Sequence, residues 1–142
     1  MKYLLLIPFF VILSCDDDGT KASVVDFEEF TISVPENWKY VEQQGYDSKV
    51  AMFVTIRGEE ISYDLGLYSD SLRVDADTHY VSLKTIDNKD AKVVEPKSSA
   101  HGRTGVYFKN IGDGNRFQMS GLNLSAPTQA TLLSAIETLH FK

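Results

Sequence analysis

The chain has 142 residues, of which 43% are hydrophobic and 24% charged, and its formal net charge is −6. This size and composition predict a single globular domain that is large enough to bury a core without disulfides or a metal. The acidic balance argues against nucleic acid as a partner and against a basic membrane-docking face. The single cysteine excludes an intramolecular disulfide.

The N-terminal residues have the order of charge, apolar run and small residue that is typical of a secretory signal peptide. Lys2 supplies the positive charge, and residues 4–13 (LLLIPFFVIL) are apolar without a break. This run is too short to span a bilayer, which needs about 20 apolar residues. Residues 12–15 (ILSC) resemble the bacterial lipobox, which implies cleavage before Cys15 and lipidation of its thiol. We therefore expect residues 1–14 to be a lipoprotein signal peptide and acyl chains at Cys15 to anchor the protein to a membrane.

An acidic run follows the cysteine at residues 16–18 (DDD). Adjacent aspartates repel one another and do not pack, so the sequence predicts a solvated tether over residues 15–25. A sorting signal is the alternative interpretation of the same run. The globular domain is expected to occupy residues 26–142.

The predicted domain consists mostly of strands with alternating or continuous apolar residues. The predicted strands are Phe27–Val34, Trp38–Val41, Lys49–Ile56, Ile61–Leu67, Tyr80–Ile86, Ala91–Glu95, Arg103–Ile111 and Asn115–Leu124. Short links at residues 57–60, 87–90 and 112–114 carry turn-forming residues and predict three hairpins. Two strands show a clear alternation. One face of the third strand carries Val50, Met52, Val54 and Ile56, and the inward face of the fourth is expected to carry Ile61, Tyr63, Leu65 and Leu67.

A single helix is predicted near the C-terminus. Ser125 is a candidate N-cap, and Pro127 suits the first helical turn. A stripe at helical spacing follows at Leu132, Ala135, Ile136 and Leu139. Residues 140–141 are expected to form a short final strand or a tail, and residues 70–79 are irregular but could include a short helix. The predicted fold is α+β, with a mostly antiparallel sheet of about six or seven strands and the C-terminal helix packed on one face.

Two short motifs resemble known families. Residues 30–38 (FTISVPENW), and loosely residues 132–141 (LLSAIETLHF), resemble the PsbP-like superfamily of small domains with an antiparallel sheet and a C-terminal helix. The mature chain is also similar to small Bacteroidetes-type lipoproteins, through ISVPENW, QQGYDS, YDLGLYS, the glycine hairpin and TLHF. The resemblance implies a PsbP-like domain that is non-enzymatic and contacts other proteins.

This second resemblance affects the expected location. An aspartate after the lipidated cysteine resembles the inner-membrane retention signal of enteric bacteria. In Bacteroidetes, acidic residues at this place instead resemble an export signal to the cell surface. We therefore expect the outer membrane or cell surface in preference to the inner membrane.

No set of residues with the pattern of an active site or metal site is recognised. The histidines His79, His101 and His140 lie on separate predicted elements, and zinc sites show closer clusters of ligands. Glu28 and Glu29 are adjacent in a predicted strand, so we expect them to point to opposite faces and not to cooperate. No nucleophile elbow or phosphate loop is present in the sequence. We therefore expect no catalytic residues, no metal and no cofactor.

Two kinds of candidate binding or modification residue remain. Tyr46 and Tyr68 are aromatic residues in predicted loops, and Asp64 is expected on the outward face of its strand, so the three could dock a sugar or a partner. The alternative is that the tyrosines cap the edge of the core. Residues 70–72 (DSL) resemble the Bacteroidetes O-glycosylation motif, which implies modification of Ser71.

Three functional hypotheses follow from the sequence. The first is a lipid-anchored, non-enzymatic lipoprotein that binds another, unidentified protein of the cell envelope. The second is a surface lipoprotein that binds a glycan or small ligand through Tyr46, Asp64 and Tyr68. The third is a hydrolase without a recognisable motif. A concave pocket with converging tyrosines and a carboxylate of raised pKa favours the second or third. A flat, exposed apolar patch with no pocket favours the first.

Overall fold

The computed structural model describes residues 21–142, so the predicted signal peptide, Cys15 and residues 15–20 of the predicted tether lie outside the described residues. Within this range the chain forms ten strands and one helix. In chain order they are β1 (Ala22–Asp26), β2 (Phe30–Pro35), β3 (Lys39–Gln43), β4 (Lys49–Val54), β5 (Glu60–Gly66), β6 (His79–Ile86), β7 (Lys89–Pro96), β8 (Arg103–Gly112), β9 (Asn115–Leu122), α1 (Ala126–Ile136) and β10 (His140–Phe141). No helix of the described part is long and apolar enough to cross a membrane.

The strands form two sheets in which every neighbouring pair is antiparallel. The large sheet has seven strands in the order β3-β4-β5-β9-β8-β7-β6, and the small sheet has three in the order β1-β2-β10. Helix α1 packs against β8 and β2. The predicted fold class, an antiparallel α+β domain with a C-terminal helix, is confirmed. The second sheet was not predicted, and together with α1 it covers the inner face of the large sheet.

Strand β1 corrects the predicted tether. Residues 22–25 belong to the folded domain because β1 pairs with β2 from Ala22↔Pro35 to Asp26↔Thr31. The hairpin between these strands turns at residues 27–29, where the Phe27 N–H donates to the carbonyl of Phe30 at 2.8 Å. The strand predicted from Phe27 therefore begins only at Phe30. Strand β10 pairs on the other side of β2, which confirms the predicted final strand.

An aromatic cluster joins the two sheets. The Phe30 ring of β2 packs edge-on against Tyr63 of β5 and Phe117 of β9, with centroids 5.1 and 5.0 Å apart. Phe141 of β10 packs edge-on against Phe108 and Phe117 at 5.0 and 5.3 Å. Fully burying such a side chain contributes about 1.5–3 kcal/mol. The cluster therefore holds the small sheet firmly on the large one.

The inner face of the large sheet agrees only in part with the sequence pattern. Ile61, Tyr63 and Leu65 are buried as predicted, but Leu67 lies beyond the end of β5 and is half exposed. In β4 the buried residues are Ala51 and Phe53, opposite in phase to the apolar row that begins at Val50. The register explains this, because Phe53 lies opposite Ile61 of β5 and Tyr40 of β3.

Helix α1 confirms the predicted stripe, since Leu132, Ala135 and Ile136 are buried. Its N-terminus differs from the prediction, because the Ser125 side chain makes no capping hydrogen bond. The carboxylate of Glu59, in the β4–β5 turn, takes that place. It accepts from the Ser125 N–H at 2.5 Å and from the Thr128 hydroxyl. A turn of the large sheet thus satisfies donors at the start of the helix.

The segment at residues 67–78 crosses the outer face of the large sheet and contains no helix, so the short helix considered from the sequence is not formed. Leu72 is fully buried against Val94 of β7 and Tyr107 of β8. The Lys92 ammonium donates to the carbonyls of Ser71 and Leu72. These contacts fix the middle of the segment on the sheet.

Candidate functional site

The structure brings two of the three predicted binding residues to one end of the large sheet. Tyr46 lies in the β3–β4 loop and Tyr68 follows β5, and both side chains are largely exposed. The two segments adjoin, because a Cβ placed on Gly66 would lie 2.7 Å from the Ser48 Cβ. Asp64 lies on the outer face of β5, with the buried Oδ1 of its carboxylate unpaired among the described residues. Tyr46, Asp64 and Tyr68 line neither of the two cavities described below.

Ser71 lies in the crossing segment, where its side chain is half-buried. Its neighbours are held tightly, since the Leu72 N–H donates to the Asp70 carboxylate at 3.1 Å and Leu72 is buried. Leu72 also has a φ of 49°, an uncommon backbone conformation for a bulky residue. The segment is therefore an ordered covering of the sheet and not a free loop.

Three exposed apolar side chains lie close together on strand β6. The side chains of Tyr80, Val81 and Leu83 are 61%, 48% and 84% exposed. Strand β6 pairs with β7 from His79↔Pro96 to Ile86↔Lys89 without a bulge, and within residues 21–142 no strand pairs with its other side. A row of backbone N–H and C=O groups is thus open along a regular eight-residue edge.

The other edges of the two sheets are better guarded. Strand β3 has five residues, of which Lys39 and Glu42 are charged and exposed, and β1 has five residues and ends at Asp26. Natural edge strands are usually short or carry charges, prolines or bulges that prevent pairing with another chain. The one charged residue inside β6, Lys84, is held by Glu137 beyond α1, with Nζ and Oε1 2.7 Å apart. Strand β6 is therefore the longest of these edges, and it carries a single charged side chain, Lys84, in eight residues.

A cleft of about 410 Å³ opens between the two sheets at the β3–β4 end. Its aromatic walls are Phe27, Tyr40 and Tyr63, with the Phe27 centroid 5.3 Å from Tyr40 and 5.4 Å from Tyr63. Burial raises the pKa of Tyr63 well above its ordinary value, and the nearby Tyr40 raises it further. The Tyr63 hydroxyl therefore remains neutral. The cleft therefore combines flat rings with a hydroxyl, a surface suited to stacking and hydrogen bonding.

The rim of this cleft is acidic and includes Glu28, Glu29 and Glu42. The Lys49 ammonium bonds both Glu28, at 2.8 Å, and Glu29. The expectation that these two carboxylates could not cooperate is wrong, because they lie in the β1–β2 turn and not in a strand. The hydrogen bond and charge of Lys49 hold the pKa of Glu28 below its ordinary value.

The histidines have structural partners or lie apart. His79 Nε2 accepts from the Arg103 N–H at 3.0 Å, and His140 Nδ1 lies 2.7 Å from the Asp87 carboxylate. The Asp75 carboxylate accepts from the Asp77 N–H, so it closes a turn. Among residues 21–142 no group of three or more His, Cys, Asp or Glu side chains is placed to hold a metal ion.

Comparison with protein-family models gives no match, and comparison with curated proteins gives none either. The sequence could indicate the exposure of Tyr46 and Tyr68, because both follow turn-forming residues. It could not indicate that β6 is an edge strand or that Phe27, Tyr40 and Tyr63 share a cleft. Both properties depend on strand order and on pairing between distant segments.

Proposed function

We propose that this chain is a lipid-anchored, non-enzymatic lipoprotein of the cell envelope that binds another envelope protein along the edge of β6. The observation that carries the proposal is the open edge itself, eight residues long, regular and bearing three exposed apolar side chains. Such an edge is a template for strand addition, in which an extended peptide pairs with the sheet.

The occupant we propose is an extended segment of the partner protein. Its backbone would pair with β6, and apolar residues at alternate positions would contact Val81 and Leu83, which share one face of the strand. Tyr80 on the opposite face offers a second contact. In strand addition the main-chain hydrogen bonds supply affinity and the side chains supply specificity.

The anchor in this proposal is Cys15, with the outer membrane or cell surface as the favoured location. Strand β1 begins at Ala22, so a few residues would connect the domain to its lipid. At about 3.5 Å for each extended residue, residues 15–21 would reach roughly 25 Å. A partner in the same membrane would therefore lie within range of the domain.

The test is cross-linking and capture of the full-length protein in its own cells, read by mass spectrometry. Three variants accompany the wild type. Cys15→Ala should leave the membrane fraction, Leu83→Lys should lose the partner, and Ile56→Lys is the matched control because Ile56 is also exposed but lies in the β4–β5 turn.

We expect one envelope protein to be enriched with the wild type and with Ile56→Lys, and to be lost with Leu83→Lys. Equal enrichment with the wild type, Ile56→Lys and Leu83→Lys would place the binding surface elsewhere. Capture of the chain itself and nothing else would make β6 a self-association edge. Membrane retention of Cys15→Ala would refute the anchor.

A second candidate function rests on the cleft between the sheets. Its rings, hydroxyl and carboxylates are groups that bind a sugar or another small polar ligand. In this alternative Tyr40 and Tyr63 replace Tyr46, Asp64 and Tyr68 as the contact residues. Glycan-array binding that Tyr40→Ala abolishes and Tyr46→Ala leaves intact would support it.

A hydrolase receives less support from this cleft. A general acid needs a pKa raised toward the working pH, whereas Lys49 lowers that of Glu28. Turnover in a broad hydrolase screen that is lost in Glu28→Gln would overturn this assignment.

A further inference from the structure

A basic cavity of about 590 Å³ lies at the tips of the β6–β7 and β8–β9 hairpins. Three cationic residues line it, Lys89, Lys109 and Arg116, together with Asn88, Asn110 and one acidic residue, Asp90. The lining therefore carries more positive than negative charge, although the chain as a whole carries −6.

None of the three cations forms an ion pair within residues 21–142, although Lys89 lies close enough to Asp87 for its charge to act on that carboxylate. The ion pairs of that region use Lys21, Lys49, Lys84, His140 and Lys142. Asp87, beside the cavity in sequence, is already engaged, because it accepts from the Phe141 N–H at 2.8 Å and from His140. Like charges around one cavity repel each other, so an anion placed among them would relieve that repulsion.

The backbone that presents these side chains is fixed by two tight turns. Asp87 and Asn88 both have positive φ, 50° and 57°, as the turn of a two-residue hairpin requires. In the other hairpin the register of β8 and β9 shifts between Phe108 and Gly112, and the Gly112 N–H donates to the Asn110 side chain at 2.9 Å. The cations thus lie in strands that ordered turns connect.

The cavity also lies far from the first described residues. Lys89 stands over the Phe141 ring, with Nζ 6.0 Å from the centroid, and Phe141 pairs with Phe30 at the start of β2. The chain enters the domain at Ala22, opposite Pro35 at the other end of β2, about 17 Å along the strand. The cavity thus lies toward the opposite end of the small sheet from Ala22.

We propose that Lys109 and Arg116, on the outer face of β8 and β9, form a binding site for a phosphate-bearing ligand. Lys89 is not part of this site, because it pairs with the buried Ile86 and extends over the Phe141 ring on the inner face. A guanidinium matches the oxygens of a phosphate with two parallel hydrogen bonds, and the Lys109 ammonium adds charge without fixed geometry. The cavity is large enough for a phosphorylated sugar, and the Asn88 and Asn110 amides offer further polar contacts. The phosphate could belong to a soluble ligand or to a lipid headgroup, and the site serves either source.

The experiment is a titration of the full chain, in a neutral detergent, with inorganic phosphate at constant ionic strength maintained by chloride. Amide NMR shifts report binding by residue. The test variant is Lys109→Gln/Arg116→Gln, and the matched control is Lys39→Gln/Arg57→Gln, which removes the same charge from exposed positions elsewhere. A second arm repeats the titration of the same proteins with short-chain phosphatidylglycerol or phosphatidylcholine in the same detergent.

We expect saturable shifts confined to residues 88–90 and 109–116, unchanged in the control and weakened about tenfold or more in the test variant. Phosphate binding with shifts of the same residues on phosphatidylglycerol but not on phosphatidylcholine, both lost in the test variant, would assign a lipid headgroup. Phosphate binding without such lipid-induced shifts would assign a soluble ligand. Shifts that do not saturate, or that are equal in the two double variants, would overturn the site. Val81 and Leu83 are unchanged in these proteins, so this result is separable from the test of the β6 edge.

Discussion

The carboxylate of Glu59 should contribute measurably to folding stability, although it lies in a surface turn. Its two oxygens accept from the Ser125 N–H, at 2.5 Å, and from the Thr128 hydroxyl, both at the start of α1. The Thr55 hydroxyl lies 3.4 Å away in the same turn. Glu59→Gln replaces one acceptor oxygen by an NH₂ donor, which would face donors of the helix. It also removes a negative charge from the positive end of the helix dipole.

The magnitude follows from the two interactions that are lost. Losing an N-terminal cap costs about 0.5–2 kcal/mol, and losing an anion at a helix N-terminus costs about 0.3–1 kcal/mol. The two effects overlap, so we expect Glu59→Gln to lower the free energy of unfolding by about 1.5 kcal/mol at pH 7. For a domain of this size that corresponds to a fall in Tm of about 5 °C.

The effect should depend on pH. Partial burial alone would raise the pKa of Glu59, but hydrogen bonds from Thr128, Ser125 and Thr55 outweigh it and hold the pKa below its ordinary value of 4.5. In the acid range the unfolded chain then binds more protons than the folded one, so this contribution is present above the ordinary pKa and is lost as the pH falls below it.

Urea unfolding of the wild type and Glu59→Gln from pH 7 to pH 3 measures the effect. The difference in unfolding free energy should shrink toward pH 3. Glu60→Gln is the matched control, since Glu60 is the adjacent, exposed glutamate, and it should change stability by less than about 0.5 kcal/mol. Equal effects of the two substitutions, or a difference that does not vary with pH, would refute the assignment of Glu59 as the helix cap.

Three further predictions test other parts of the fold. Leu72→Ala should cost about 3 kcal/mol and increase protease cleavage within residues 67–78, because it empties the contact with Val94 and Tyr107; Leu83→Ala, at an exposed position, is the control. Gly105→Ala should destabilise the domain in urea unfolding by about 1–3 kcal/mol, because its Cβ would lie 2.3 Å from the Met119 carbonyl oxygen. Lys49→Gln should raise the pKa of Glu28 toward 4.5, whereas Lys21→Gln should leave it unchanged. Carboxyl-carbon NMR over a pH titration measures this pKa.

The parts of the fold that could be predicted are those determined by neighbouring residues. The β8–β9 hairpin depends on Gly112 and Gly114, which adopt positive φ, and the β6–β7 hairpin on Asp87 and Asn88, which do the same. Helix α1 was predictable from its stripe and from Pro127. In each case the signal and the structure it specifies lie within about a dozen residues of each other.

The second sheet combines a hairpin whose first strand has a weak local pattern, β1–β2, with a pair between distant segments, β2 and β10, and neither is evident from the sequence. Residues 22–26 (ASVVD) are short and partly polar, and they become a strand only because β2 lies beside them. The same applies to the candidate cleft, since Phe27 meets Tyr63 only after the β1–β2 hairpin folds onto the large sheet. Local patterns carry no information about which of two faces receives such a partner, as the inverted phase of β4 shows.

The exposed apolar residues of strand β6 allow a role in binding to be distinguished from a role in folding. Val81 and Leu83 are so exposed that their apolar area contributes little to the stability of the domain, and an open apolar edge favours aggregation. A lysine at either position would guard the edge at little cost, so Leu83→Lys should change the free energy of unfolding by less than about 0.5 kcal/mol. Urea unfolding of this variant, beside the capture experiment, distinguishes the two roles. Lost capture with unchanged stability would identify Leu83 as a contact residue, whereas a large loss of stability would mean that it supports the fold.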